Sequence, residues 1–314
     1  MEEEKMPLFL INGFLEAGKT QFIRFTLQQE YFRTEGRTLL LVCEEGEEEY
    51  DEAFLRDTRT DMVVIDDQET VTPEYLSRMA AVYRPERVLM EWNGMWDITK
   101  LALPDDWDLY QQITIVDGST FDLYIGNNDL KSLLGVMVRS TEMLIMNRCD
   151  GIEDKLGGYY RILKGMNTAV DIVFEKKEGE IQNVVEEELP YDVTADVIEI
   201  PPEGYGIWYI DAFDKPERYS GKTVEFTAMV LKRPEFPAND FVPGRMAMTC
   251  CAADMSFLGF MCKAKNGRKL KNRDWVRVRA RVEYEYRPEF GGDAPMLYAD
   301  YVEPAKPIED IVQF

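Results

Sequence analysis

Short apolar runs, separated by longer stretches of mixed polarity, fill the first half of the chain. Leu8–Ile11, TLLLVC (38–43), DMVVID (61–66), RVLME (87–91), ITIVD (113–117), EMLIMNRCD (142–150) and AVDIVFE (169–175) are the runs. Each has the length and apolarity of a strand buried on both faces. Between them, QFIRFTLQQEYF after Thr20, PEYLSRMAAVY (73–83) and stretches near 129–139 and 153–164 place apolar residues at helical spacing. Strands alternating with helices predict an α/β unit, a parallel sheet with helices on both faces, whose ligands sit at the carboxyl ends of the strands. From 175 to 203 the pattern fades into ten carboxylates and three prolines, which predicts a linker or a loosely packed end to the first domain. Past Tyr205 the period becomes two. Runs at 219–231, 243–251, 257–264, 274–286 and 296–302, with Gly, Pro and Asn between them, predict a small all-β barrel. Trp208, Tyr209 and Phe213 are expected to pack between linker and barrel.

Composition sharpens this division. Of 314 residues, 45% are hydrophobic, and 36 basic residues stand against 59 acidic ones, a net charge of −23. Residues 217–314 hold 16 basic and 14 acidic residues, a net of +2, so residues 1–216 carry a net of −25. Such a balance argues against whole-chain attraction to nucleic acid or to an anionic membrane. Five cysteines without C-x-x-C spacing fit reduced thiols in a cytoplasm. The acidic start MEEEKM and the short run after it fit neither a signal peptide nor a membrane span. With no histidine in the chain, a metal site must use Cys, Asp, Glu, hydroxyl or backbone donors.

The chemistry concentrates in LFLINGFLEAGKT (8–20), which reads strand, glycine-rich turn, helix. This is G-x-x-x-x-G-K-S/T in its required setting. Gly13, Glu16, Ala17 and Gly18 would turn backbone N–H groups toward phosphate, and the helix start adds partial positive charge. Lys19 would reach the β- and γ-phosphates, and the Thr20 hydroxyl would ligate Mg²⁺. Glu44 and Glu91, at the ends of two predicted strands, are candidates to hold Mg²⁺ directly or through water. Lys19, Thr20 and Glu91 are the candidate catalytic residues. Gly94, three past Glu91, would let a loop approach the γ-phosphate. At the end of EMLIM, Asn147-Arg148-Cys149-Asp150 resembles the guanine-reading N-K-x-D motif. A carboxylate at Asp150 can accept from guanine N1–H and N2–H₂, and Arg148 can supply a flat stem over the base. The plainer alternatives are a polar strand end with Asp150 as the next helix cap, and Glu44 as one member of a glutamate run.

Together these residues resemble the CobW-type GTPases, which handle metals or metal cofactors. The likeness spans roughly residues 7–175. It rests on GFLEAGKT (13–20), on CEEGEEEYD (43–51), where Glu44, Gly46 and Asp51 match and Cys43 replaces Asn, on EWNG (91–94), on ITIVDG (113–118) and on NRCD (147–150). The resemblance implies GTP and Mg²⁺ as ligands. Three departures are visible. The family's C-x-C-C cargo motif has no counterpart, since residues 52–75 hold no cysteine, and its His-rich tract is absent. Glu16 also puts a carboxylate in place of a glycine in the phosphate loop.

The second half is similar to the C-terminal domain of YcgQ-like proteins, which accompany a membrane permease and are linked to metal homeostasis. Tyr219-Ser-Gly-Lys222, RPEFPANDFVPGRMAMTCCAAD (233–254) and DWVRVRARV (274–282) carry that likeness. It implies an OB-like barrel. The expected layout is a P-loop GTPase domain at 1–175, an acidic linker at 176–204 and the OB-like domain at 205–314. Cys250 and Cys251, with Cys262 and Asp254, form a candidate soft site for zinc or another transition metal, replacing the missing cargo motif. The alternative is one buried and one exposed thiol. Residues 263–281 hold nine basic residues and one acid. They suit the acidic first domain, a protein partner or lipid headgroups better than nucleic acid, because aromatics do not interleave with them. The sequence therefore reads as a cytoplasmic Mg²⁺-dependent GTPase in metal trafficking with a metal-homeostasis protein or permease as partner. The alternative is a non-hydrolysing nucleotide-sensing adaptor whose OB-like domain binds a protein partner or nucleic acid.

Overall fold

The computed structural model describes residues 5–44, 46, 49–181, 189–248 and 255–312. The chain divides into two compact units: Met1–Leu156 with Val170–Val185, and Gly157–Ala169 with Glu186–Phe314.

The first unit is built on the expected parallel sheet. Its strands are β1 (Met6–Asn12), β2 (Thr38–Val42), β3 (Thr60–Val64), β4 (Arg87–Glu91), β5 (Trp107–Asp117), β6 (Met143–Asn147) and β7 (Asp171–Lys176), with β8 (Gly179–Glu180) closing one edge. The order is β3-β2-β4-β1-β5-β6-β7-β8, parallel throughout except the last pair. Helices α1 (Lys19–Gln28), α2 (Glu52–Asp57), α3 (Pro73–Tyr83), α4 (Phe121–Gly126) and α5 (Asn128–Arg139) connect the strands. The strands are apolar on both faces because both are covered. On β1, β2 and β4, Leu8, Leu10, Leu39, Leu41, Val88 and Met90 meet Leu76 of α3, while Ile11, Leu40, Val42 and Leu89 meet Ile23 and Leu27 of α1 and Phe54 of α2. Polar caps set the helix starts: Asp51 accepts from Phe54 N, Thr72 from Tyr75 N ahead of Pro73, and Asn127 from Leu130 N. Every loop that leaves the carboxyl end of β1, β2, β4 or β6 opens on one side of the sheet, which follows from the parallel arrangement.

The second unit holds α6 (Leu156–Met166), α7 (Tyr205–Asp214), α8 (Pro216–Tyr219) and a barrel. Its strands are β9 (Val197–Glu199), β10 (Thr223–Leu231), β11 (Asp240–Met248), β12 (Met255–Gly259), β13 (Cys262–Ala264), β14 (Trp275–Arg287) and β15 (Gly292–Pro304). The sheet order β12-β11-β13-β15-β14-β10-β9, with a further β11–β10 pairing, closes five strands into a ring. β13 and β15 run parallel, and the other pairs in the ring are antiparallel. This is an OB-like barrel. The expected run at 257–264 is two strands, because the chain breaks at Phe260 and Met261. The aromatic run from Tyr205 forms a helix whose Trp208 and Tyr209 pack on Phe226 and Phe260 of the barrel core. The stretch 176–204 is not a bare linker: it gives β8 to the first sheet and β9 to the second.

One carboxylate on the barrel is buried outside the apolar core. Glu225 of β10 accepts from Nε of Arg277 and Nε of Arg279, and from the Tyr301 hydroxyl at 2.7 Å. Burial alone would push its carboxyl up. The Tyr301 hydroxyl and the two guanidiniums outweigh burial and hold it below the ordinary range. Its stabilising contribution is therefore full above the unfolded value near 4.3 and is lost as pH falls through the lower folded value. Glu225→Gln should cost about 2 kcal/mol at neutral pH, the scale of a charge-assisted hydrogen bond. Urea melts of both proteins from pH 7 downward should show that gap closing below pH ~4. A gap that stays constant with pH would contradict the assignment.

Candidate functional site

The loop after β1 is shaped by three residues with positive φ. Gly13 has φ 142°, and a Cβ there would stand 2.2 Å from the Ile115 carbonyl oxygen. Gly18 has φ 99°, and a Cβ there would stand 2.8 Å from Nδ2 of Asn147. Only glycine fits either position. Glu16 takes the left-handed region at φ 60°, which costs energy for a residue with a Cβ. Lys19 then opens α1 and is buried, at 3% exposure. Its ammonium donates to Gly13 O and Phe14 O, each at 2.9 Å, and pairs with the Glu44 carboxylate. A buried ammonium needs partners, and these three close the loop around it.

Glu91, at the end of β4, is also 3% exposed. One oxygen accepts from the Thr20 hydroxyl at 2.8 Å and the other from the Tyr50 hydroxyl at 2.6 Å. Burial pushes the Glu91 carboxyl up; the two hydroxyls and the Lys19 charge oppose this only in part. Burial and the Glu91 charge likewise push the Tyr50 hydroxyl up. Past Glu91 the backbone folds against the loop: a Cβ on Gly94 would stand 2.3 Å from Gly13 O. Gly94 therefore lies directly against the loop after β1.

The far side is held by the segment after β6. Asn147 donates from Nδ2 to Ala17 O at 2.7 Å, and its Oδ1 is buried without a partner among the described residues. Arg148, at φ 52°, donates to Glu16 O at 2.8 Å and pairs with Asp117 at the end of β5. Its guanidinium is therefore tied to the loop. Asp150 is exposed, and its Oδ2 accepts from Lys177 N at 3.3 Å.

A cavity of about 50 Å³ opens among these groups. Of the residues expected from sequence, Glu16, Gly18, Lys19, Thr20, Glu44, Glu91 and Arg148 line it. Gly13, Ala17, Gly94 and Asn147 stand behind it and shape it, while Asp150 sits outside the lining. Three contributors were not singled out from sequence. Tyr50 and Asp117 touch Glu91 and Arg148 as above. Arg24, one turn into α1, donates to Glu49 O at 2.6 Å and approaches Asp51 at 3.5 Å, so it anchors the acidic loop. The aspartate closing ITIVD offered a signal for Asp117; nothing in EEEYD set Tyr50 apart.

The soft-metal site fares differently. Cys250, Cys251 and Asp254 lie outside the described residues. Cys262 is in the barrel core at 0% exposure, because on β13 it alternates with Lys263 and points inward with Ala264. Burial pushes its thiol well up, which disfavours the thiolate a metal needs. Among the described residues, no group of three or more Cys, Asp or Glu is placed to hold a metal ion. In the first unit, Cys43 faces the apolar core, with its thiol pushed up to about 12 by burial and then by the Glu91 and Glu44 charges. The donors that do face the cavity are hydroxyl and carboxylate oxygens. That set suits a hard cation such as Mg²⁺.

Comparison with known proteins places these features. Residues 7–174 match the CobW/HypB/UreG nucleotide-binding domain, and residues 175–312 match the DUF1980 C-terminal domain. No curated protein matches the chain. Among solved structures, the hydrogenase maturation factor HypB from Archaeoglobus fulgidus is 15% identical over 56% of this chain and 84% of that one, with a TM-score of 0.39. HypB from Helicobacter pylori in complex with nickel is 12% identical over 56% and 81%, with a TM-score of 0.35. Likenesses this distant carry no functional conclusion. The match over 7–174 covers more than half of the chain and contains the whole lysine-centred loop, so the protein belongs to the CobW/HypB/UreG family, with a DUF1980 domain following its nucleotide-binding domain.

Proposed function

We propose that the first unit is a Mg²⁺-dependent GTPase with a slow intrinsic rate, acting in metal handling, and that the second unit presents it to a protein partner. The carrying observation is the convergence of Lys19, Thr20, Glu44 and Glu91 on one cavity behind a glycine-shaped loop. In this reading Lys19 leaves its carbonyl and carboxylate partners for the β- and γ-phosphates. Gly13 to Gly18 present backbone N–H groups, and Asn147 and Asp150 read the base. Thr20, Glu91 and Glu44 would hold Mg²⁺, which when bound neutralises charge on the phosphoryl oxygens. The acidic loop from Glu44 to Asp51 and the segment at Gly94 would relax on hydrolysis. A cytoplasmic location fits this role. Among the described residues, no helix is long and apolar enough to cross a membrane. Arg277 and Arg279 of the basic stretch are engaged by Glu225, and Arg281 pairs with Glu283 at 2.9 Å. That favours a protein partner over nucleic acid for this face.

One observation supports a second reading. Two of the carboxylates facing the cavity are engaged, Glu44 by Lys19 and Glu91 by Thr20 and Tyr50, and neither is free to orient water. A nucleotide-sensing adaptor that does not hydrolyse needs nothing more. Phosphate release no faster than buffer, with and without divalent metals, would select it.

Calorimetry with GTP, GDP, ATP and ADP tests the base assignment: guanine nucleotides should bind at least tenfold tighter, and equal affinities would defeat it. Asp150→Asn should erase that preference, a loss of roughly 1.5–3 kcal/mol for hydrogen bonds to a charged group. Lys19→Ala should weaken all polyphosphates by roughly a hundredfold or more, about 2.7 kcal/mol. Glu44→Gln separates competition from cation binding. With EDTA present, it should raise GDP affinity several-fold, because phosphate no longer displaces an anion from Lys19. With Mg²⁺ present, GTP affinity should fall. The same direction in both buffers would contradict the dual role of Glu44.

A further inference from the structure

The barrel wall has a gap. Along β10, residues Thr223 to Glu225 pair with β9, and Met229 to Leu231 pair with β11. Between them Thr227 has no strand neighbour on that side among the described residues. Its backbone faces the gap. Val230 N donates to Asp274 O beyond β14, and Ile200 N donates to Glu225 O on the β9 side. Alternation along a strand therefore turns the N–H and C=O of Thr227 away from β14 and toward the gap. No hydrogen bond reaches either group among the described residues. Backbone groups in a folded protein are paired with protein, water or ligand.

A cavity of about 420 Å³ lies over this gap, within the size range of small-ligand sites. Its walls include Ile200, Pro201, Phe226 and Ile308, with Thr227 and Arg277 as polar members. The Arg277 guanidinium is fixed from behind by the bond from its Nε to Glu225. Its two Nη groups have no acceptor among the described residues. Glu225 is saturated by Arg277, Arg279 and Tyr301, so it does not compete for them. Glu199 also lines the cavity and interacts with the Arg277 charge, so it opposes any anion there and opposes a multiply charged one most. The chemistry asked for is thus a single carboxylate, an adjacent amide that pairs with an extended backbone, and an apolar side chain.

We propose that this cavity binds the carboxyl terminus of a peptide. The terminal carboxylate takes the Nη edge of Arg277, the preceding peptide unit pairs with Thr227 across the gap, and the last side chain enters the apolar walls. Both halves are known modes of peptide capture, strand addition and terminal-carboxylate recognition. The site is independent of the nucleotide assignment and lies wholly within the second unit.

Equilibrium dialysis of the full-length protein, read by mass spectrometry, tests this. The probes are two pools of N-acetyl dipeptides with apolar last residues, one of free acids and one of the same peptides as C-terminal amides. Free acids should be retained at least threefold over their amides. Arg277→Gln should remove the difference, whereas Arg281→Gln, on the same strand face but outside the cavity, should preserve it. Inorganic phosphate at equal concentration should not displace the acids. The proposal is overturned by no retention, by equal retention of acids and amides, by retention that survives Arg277→Gln, or by displacement with phosphate. Circular dichroism of each variant confirms that the barrel persists, and Arg277→Lys, keeping charge without the fork, should recover part of the retention.

Discussion

A lysine ammonium buried to 3% exposure is the constraint on which the first unit turns. An unpaired charge at that depth would cost several kcal/mol or give up its proton. Lys19 avoids both by drawing Gly13 O, Phe14 O and Glu44 around it. That requirement fixes the loop from inside. It explains why Gly13 and Gly18 must take positive φ, and why Glu16 is held left-handed although it carries a Cβ. Neighbouring segments then lock the shape from outside, with Gly94 against Gly13, Asn147 on Ala17 O and Arg148 on Glu16 O. A phosphate-sized anion entering this place meets a formed cradle whose cation already has a tenant.

The second constraint is one of charge order along the sheet. Glu44 and Glu91 follow β2 and β4, and the register sets Val42 beside Glu91, so the two carboxylates emerge next to each other. Thr20 and Tyr50 reach Glu91 from opposite directions, one from α1 and one from the acidic loop. Arg24, also on α1, bonds the same loop at Glu49. The helix that begins with Lys19 therefore also carries Arg24, which bonds the acidic loop.

The parallel sheet was legible because each strand is a short apolar run with a helix-period stretch behind it. The loop was legible because strand, glycines, lysine and helix stand in a fixed order. Side chains recruited over long sequence distances were not. Tyr50 meets Glu91 across 41 positions and Asp117 meets Arg148 across 31, and neither partner is marked by spacing. Helix α7 escaped because YGIWYIDAFD is apolar nearly all round, as a helix packed into a core must be, which removes the periodic signal. The barrel was legible as five alternating runs, but its closure by β10 on β11, and the gap left at Thr227, depend on pairing partners that no alternation encodes. Cys262 shows the same limit. Its neighbours in sequence suggested a thiol cluster, whereas strand alternation sends it into the core.

The balance of charge in the cavity has a consequence for how polyphosphate can be held. Three carboxylates, Glu16, Glu44 and Glu91, line it with two cations, Lys19 and Arg148. Arg148 is committed to Asp117 and to Glu16 O, so Lys19 is the cation that can turn to a ligand. A triphosphate would add charge of the wrong sign to a site already net negative. Coulomb repulsion at such distances is worth a kcal/mol or more even at an effective dielectric constant near 20. A divalent cation held by Glu44 and Glu91 would reverse that sign and would neutralise the two carboxylates that otherwise oppose phosphate. Glu16 stays an opponent in either case: a Cβ on Gly46 would stand 3.0 Å from its Oε1, so it faces the acidic loop rather than the sheet. Nucleotide affinity would then depend on cation occupancy at Glu44 and Glu91, while Glu16, at the third variable position of the loop, would oppose phosphate with or without the cation.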